Sequence, residues 1–480
     1  MNLSIVVYIL GWILICVSAL MGLPLITSLI YMESVSAKAF LLTMAICLGI
    51  GIILIGKKPK NRVFYLREGF VVTALSWIVI SVVGSLPFII SGAIPDPISA
   101  LFETVSGFTT TGASILEDVE ALPKGILFWR SFTHWIGGMG VLVFLLTLLP
   151  LTGGSHVNIM KAESPGPQVE KLVPKVQSTA KILYGIYIFM TVLQIFLLLL
   201  GRMPLFDALT ISFGTAGTGG FGIKNDSMAG YSPYIQNVVT IFMILFGINF
   251  NFYFFLLFRK FRRAFRMEEV HWYLMIIACA IGVIGFNVRN MYDSLGEAFR
   301  QAAFQVGSII TTTGYSTTDF DLWPAASKTI LVMLMFVGAC AGSTGGGIKV
   351  SRFVILLKTV RKEIKRLMHP QSIGKVSMDG KVIPHETVRS TNVYMAAYVI
   401  IFAFSVLLIG FDEHDLTTNF TAVAATFNNI GPGLELVGPI RNFSVYSNGA
   451  KLVLIFDMLA GRLELFPLLI TFTRDTWRKF

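Results

Sequence analysis

The sequence predicts an all-α polytopic membrane protein, with two N-terminal helices and then four helix–pore-loop–helix repeats set pseudo-fourfold around a central pore. Three observations predict it. The 480 residues are 54% hydrophobic and only 14% charged, whereas soluble domains carry about 25% charged residues. Apolar runs long enough to span a bilayer recur along the whole chain. Between them, a short polar loop ending in glycine occurs four times.

The spans are expected at roughly 5–31, 39–56, 69–92, 125–150, 179–201, 233–258, 270–289, 326–358, 390–411 and 449–473, ten in all. The first is too long for the apolar core of a cleavable signal peptide, and no basic segment precedes it. The units divide as 1–62 (the two extra helices), 63–150, 151–267, 268–368 and 369–480 (repeats one to four). Four basic clusters set the orientation: Lys57, Lys58, Lys60, Arg62 and Arg67; Arg259, Lys260, Arg262, Arg263 and Arg266; Lys358, Arg361, Lys362, Lys365 and Arg366; and Arg474, Arg478 and Lys479. All fall on one side of a ten-span chain, which the positive-inside rule makes cytoplasmic. Both termini then lie inside.

The four loops align on the spacing from a bulky residue to a glycine: Phe108 to Gly112, Phe213 to Gly217, Ile310 to Gly314 and Phe427 to Gly431. Glycine admits positive φ, so successive carbonyls can turn to one side. Four such loops around one axis form a cage of oxygens that replaces the water shell of a monovalent cation, as potassium-channel filters do. The candidate cage residues are Thr110, Thr111 and Gly112; Thr215, Ala216 and Gly217; Thr312, Thr313 and Gly314; and Asn429, Ile430 and Gly431. Acidic residues follow the loops: Glu117, Asp118 and Glu120; Asp226; Asp319 and Asp321; and Glu435. They either concentrate cations at a mouth or serve loop solubility.

Residues 325–367 would make a helix about twice the membrane thickness. At its centre stand Ala341, Gly342, Ser343, Thr344, Gly345, Gly346 and Gly347. Contiguous glycines weaken a helix by about 1 kcal/mol each, so a break and an intramembrane loop are expected, although close helix packing also uses small residues. Lys349 either holds this loop or snorkels to the surface. The last span carries Asp457, Arg462 and Glu464; charges there face the bundle or the pore. Arg462 is either a positive barrier beneath the loops or the partner of one of those acids. His134 reads as a hydrogen-bonded interior residue, and Cys16, Cys47, Cys279 and Cys340 as small core residues.

No Walker or Rossmann fingerprint occurs, and no catalytic pair of titratable groups accompanies the spans, so an enzyme is not expected. The net charge of +11 sits in the membrane-flanking clusters, which points to lipid headgroups and not to nucleic acid.

The segments GFTTTGA (107–113), Trp129 to Gly140, SIITTTGYSTTDF (308–320), AGSTGGGIK (341–349) and NNIGPG (428–433) together resemble the Trk/Ktr/HKT superfamily of potassium transporters. The two extra N-terminal spans are similar to its TrkH branch. The resemblance implies potassium uptake in a bacterial inner membrane, a homodimer, and a cytoplasmic TrkA-type ring that binds NAD(H), ATP or ADP, with no organic cofactor in this chain. It implies that the four loop glycines line the filter, that 341–347 is an intramembrane gate and that Arg462 lies below the filter. Sodium-preferring plant relatives tend to have serine where Gly112 stands, so potassium is the expected ion. A sodium- or proton-coupled symporter is the alternative within the superfamily.

Overall fold

The computed structural model describes residues 2–56, 59, 65–140, 176–371 and 374–478. Lys57, Lys58, Lys60, Arg62, Lys479, the end of the fourth expected span and the loop 151–175 lie outside the described residues. Helices α1 (Leu3–Leu20) and α2 (Gly22–Ile30) form one apolar span, and α3 (Ser34–Gly56) returns against it. A pattern of long helix, short helix and loop then recurs four times, and in the last three units the helix that follows is broken. The first unit contains α4 (Leu66–Ile90), α5 (Pro97–Phe108) and α6 (Lys124–Gly138). The second contains α7 (Val176–Leu200), α8 (Leu205–Gly217), α9 (Pro233–Phe246) and α10 (Phe250–Leu257), then the single turn α11 (Phe261–Ala264). The third contains α12 (Glu268–Asn287), α13 (Leu295–Ile310), α14 (Ala325–Val337) and α15 (Val350–Met368). A hairpin, β1 (Ser377–Met378) and β2 (Lys381–Val382), pairs antiparallel and leads to the fourth unit: α16 (His385–Ile409), α17 (Leu416–Phe427), α18 (Asn448–Arg462), α19 (Phe466–Thr471) and the turn α20 (Arg474–Trp477).

Ten continuous spans were expected, but among the described residues six helices are long and apolar enough to cross, or seven if the bent pair α9–α10 counts as one. The fourth expected span is described only in part, and the last helices of the second, third and fourth units are broken. The α9 and α10 axes meet at 89° across Gly247–Asn249. α14 stops after 13 residues at Gly338, whose φ is +71°. α18 ends before Glu464 and Leu465, both at positive φ. The glycine-rich break in the third unit was legible, but those at Gly247 and Leu465 interrupt runs whose hydropathy is continuous. Exposed Ile53, Phe189, Ile400 and Leu407 line the outside of the long helices, where lipid tails satisfy them. Cys47 and Cys340 are buried as expected, while Cys279 is exposed.

The short helices begin with side-chain caps where the sequence supplies them. Asp96 accepts from Ser99 N at 2.8 Å, Ser294 from Glu297 N at 3.1 Å and Asp415 from Thr418 N at 2.9 Å; Pro204 opens α8 without one. Bonds from Ser99 and Thr418 hold the Asp96 and Asp415 carboxyls below their ordinary value of 3.8. A depressed folded value gives stability that is present above the unfolded value and lost as pH falls through the folded one. Thermal melts of the Asp96→Asn, Asp415→Asn double variant should therefore lose less stability below pH ~4 than the parent, because asparagine caps without titrating, whereas alanine at either site costs about 1 kcal/mol at neutral pH.

Candidate ion pathway

Each short helix ends in the same way. One residue adopts left-handed backbone, Thr110, Thr218, Thr312 and Asn429, with φ of 54–59°. Its N–H reaches back three residues, to Gly107, Thr215, Ile309 and Thr426 O, at 3.0–3.2 Å. The next N–H reaches back five, to Ser106, Gly214, Ser308 and Ala425 O, at 2.8–2.9 Å. This satisfies the last helical carbonyls and turns the following residues away from the helix. A glycine of positive φ comes next: Gly112, Gly220, Gly314 and Gly431.

The four loops close on one another in order. A Cβ built on Gly112 would strike Gly219 O, one on Gly220 Thr313 O, one on Gly314 Ile430 O, and one on Gly431 would lie 2.9 Å from Thr111 O. Loop one therefore abuts loop two, two abuts three, three abuts four, and four returns to one. Asn429 Nδ2 strengthens the last junction by donating to Thr111 Oγ1 at 3.0 Å. In the first and third loops the threonine hydroxyls pair, Thr109 with Thr111 at 2.8 Å and Thr311 with Thr313 at 2.7 Å.

Three of the four loops take the register expected from spacing, and the second does not. Thr215, Ala216 and Gly217 form the last turn of α8, and Thr218, Gly219 and Gly220 occupy the ring. Gly217 packs on the backbone of His134, and Gly219 lies against the His134 ring, where a Cβ would collide. The residue able to turn left-handed, with glycine two positions later, marks the loop; Thr218-Gly219-Gly220 carries that mark in the sequence.

Behind the ring, His134 Nδ1 lies 2.7 Å from Gly107 O and Nε2 accepts from Phe221 N at 3.2 Å, which ties loop one to loop two through a neutral imidazole. Buried Arg130 and Glu103 pair at 2.5 Å. Glu103 also accepts from Ser114 Oγ and Ile115 N, and Arg130 donates to Gly222 O at 2.8 Å. Breaking a buried pair costs about 3–5 kcal/mol, so these two fix the chain leaving both loops. Sequence reading gave neither Glu103 nor this pairing. Beyond the glycines a cavity of about 120 Å³ is lined by Gly112, Gly220, Gly314, Gly431, Glu117 and Arg441. Of the acids expected at a mouth, Glu117 lines it. Asp118 and Glu120 clasp Asn225, and Asp321 accepts from Glu435 N at 2.8 Å.

On the opposite side of the ring lies the segment 341–347. Gly346 N donates to Thr312 Oγ1 at 2.6 Å. A Cβ on Gly345 would lie 2.8 Å from Thr311 O, and one on Gly346 2.5 Å from Asn428 O. The glycines thus let the loop press against the ends of α13 and α17. Lys349 Nζ donates to Gly345 O, so the lysine holds the loop and does not snorkel. Arg462 donates to Thr344 O at 2.9 Å, Thr110 Oγ1 at 3.1 Å, Gly138 O at 3.0 Å and Gly137 O. The two acids of its own segment are engaged elsewhere, Glu464 with Arg352 and Asp457 with Ser405 Oγ at 2.7 Å. Arg462 therefore joins the first ring loop to the glycine-rich loop.

The family model TrkH, described as a cation transport protein, matches residues 36–478. The Trk system potassium uptake protein TrkH of Salmonella typhimurium is 37% identical over 490 residues, and that of Escherichia coli K12 is 36% identical, each alignment covering 100% of both chains. The crystal structure of the potassium transporter TrkH from Vibrio parahaemolyticus superposes with a TM-score of 0.89 at 33% identity, covering 100% of both chains. This chain belongs to the TrkH family of cation transport proteins.

Proposed function

We infer that this chain is the membrane pore of a potassium uptake system. The closed succession of loop contacts carries the reading: the carbonyls of Thr111, Gly219, Thr313 and Ile430 each sit against the glycine of a neighbouring loop. In this reading they meet a dehydrated potassium ion, as peptide oxygens do in channel filters. The C-termini of α5, α8, α13 and α17 end at the same ring, and helix C-termini carry partial negative charge that favours a cation. The relatives named above are potassium uptake proteins of Trk systems.

Beneath the ring, Ala341, Gly342, Ser343, Thr344, Gly345, Gly346 and Gly347 act as the gate, with Lys349 and Arg462 as its holders. Their bonds to Gly345 O and Thr344 O support those roles. Thr110, Thr111, Gly112, Thr312, Thr313, Gly314, Asn429, Ile430 and Gly431 form the filter together with Thr218, Gly219 and Gly220. The units 1–62, 63–150, 151–267, 268–368 and 369–480 are the leading helices and four repeats. Two copies pair in a bacterial inner membrane, termini inward, above a cytoplasmic TrkA-type ring that binds NAD(H), ATP or ADP. The basic residues after α10 and along α15 support that orientation.

Potassium and rubidium flux into liposomes tests the function. A membrane potential of 100 mV is worth about 2.3 kcal/mol per charge, so inward flux should rise steeply with an inside-negative potential, and Gly112→Ser should shift preference toward sodium. Flux indifferent to potential, with the variant as selective as the parent, defeats the reading.

A further inference from the structure

The glycine-rich loop is also held from the side away from the ring. Cys340 N donates to Gly247 O, and Phe250 N to Gly342 O, both at 3.0 Å, so the entry to the loop pairs with the break between α9 and α10. One side chain reaches both ends of the loop. Glu269 Oε1 accepts from Ala341 N at 2.7 Å and from Ser351 N at 3.1 Å. The first donor opens the loop and the second belongs to the first turn of α15. Glu269 is 4% exposed, so backbone donors and not water meet its Oε1. A buried donor left without its acceptor costs about 1–3 kcal/mol.

Its neighbour in α12 faces the other way. Glu268 pairs with Lys358 at 2.5 Å, and its N–H donates to Asp379 Oδ1 at 2.7 Å, in the turn of the β1–β2 hairpin. Lys358 also donates to Ser377 O at 2.7 Å. Two consecutive glutamates at the start of α12 thus bind the hairpin on one side and both ends of the loop on the other.

We propose that Glu269 is the latch of the gate loop, a positioning residue whose release frees both ends of the loop at once, and that the β1–β2 hairpin acts on this latch through Glu268. The proposal rests on the reading of 341–347 as the gate. One oxygen holds two donors, so a small displacement of the first turn of α12 loosens both together. A push or pull on the hairpin then reaches the loop without passing through the filter.

The test is potential-driven potassium flux, with sodium flux measured beside it, through the full chain in liposomes without any partner subunit. Glu269→Ala should raise basal potassium flux by about tenfold or more, the loss expected when two buried donors lose their acceptor, while the potassium-to-sodium ratio stays that of the parent. Glu269→Gln, which keeps an accepting oxygen, should lie between, and Asp379→Ala should move flux the same way by less. A residue that merely supports the fold would change protein yield or selectivity instead. Should Glu269→Ala insert poorly, Glu269→Gln decides the matter. Wild-type basal flux in a well-inserted Glu269 variant overturns the latch, as does loss of selectivity. Deleting Gly345–Gly347 separates the two ideas: if that chain conducts like the parent, the gate reading fails. If it conducts freely while Glu269 variants stay wild-type, only the latch fails.

Discussion

Gly220→Ala should abolish selective potassium flux, while Thr215→Ser should leave it near wild-type. The spacing-based alignment of the second loop predicts a filter role for Thr215 and Gly217, whereas Thr218 and Gly220 take the positions in the ring of loop contacts. A Cβ at Gly220 would fall on Thr313 O, and its φ of 80° is left-handed. Left-handed backbone costs an L-residue about 1–2 kcal/mol, and overpacking about 1–3 kcal/mol more. That strain is applied at the junction of loops two and three. Thr215 Oγ1 bonds Ile211 O within its helix and the Tyr315 hydroxyl beside it, and a serine hydroxyl can make both bonds. Flux in liposomes, with correct insertion checked by size exclusion, distinguishes the two registers; a selective Gly220→Ala protein would refute the one described here.

Arg462→Met should raise potassium flux and weaken control by the glycine-rich loop. Even at ~10 Å and an effective dielectric of ~20, a unit charge repels a passing cation by about 1.7 kcal/mol, more than tenfold in rate. The substitution also removes the bonds to Thr344 O and Thr110 Oγ1, so the loop loses its tie to the first ring segment. Methionine fills similar volume without the charge. Unchanged flux and unchanged ion preference in this variant would exclude the barrier role, leaving Arg462 a purely structural tie.

Much of the architecture was legible because it rests on local chemistry. Threonines followed by glycine, repeated between apolar runs, announce loops that turn back inside a membrane. The glycine cluster at 342–347 announces a break in the helix that contains it. The second loop misled because Gly217 stands four positions after Phe213, as the loop glycines do after Phe108, Ile310 and Phe427, whereas the glycine of positive φ is Gly220, three positions further on; α8, with 13 residues, is about as long as α5 and α17 with 12. The breaks at Gly247 and Leu465 were hidden for a related reason, since hydropathy is blind to backbone direction. What sequence cannot carry is distance. Arg352 finds Glu464 112 positions away, and Glu269 finds Ala341 72 positions away. No spacing rule joins such pairs, so the sequence could set a barrier role for Arg462 against an ion pair with Asp457 or Glu464 but could not name Thr344 O and Gly137 O as the groups it bonds.

The closure of loop four upon loop one has a consequence for biosynthesis. Asn429 meets Thr111 across 318 positions of chain, so the aperture cannot exist while the ribosome is still making the fourth unit. Until then the nascent protein holds an open arc of three loops, with Thr111 facing an unfilled sector. A chain cut short before the fourth unit therefore cannot close the ring, whatever helices it has already formed.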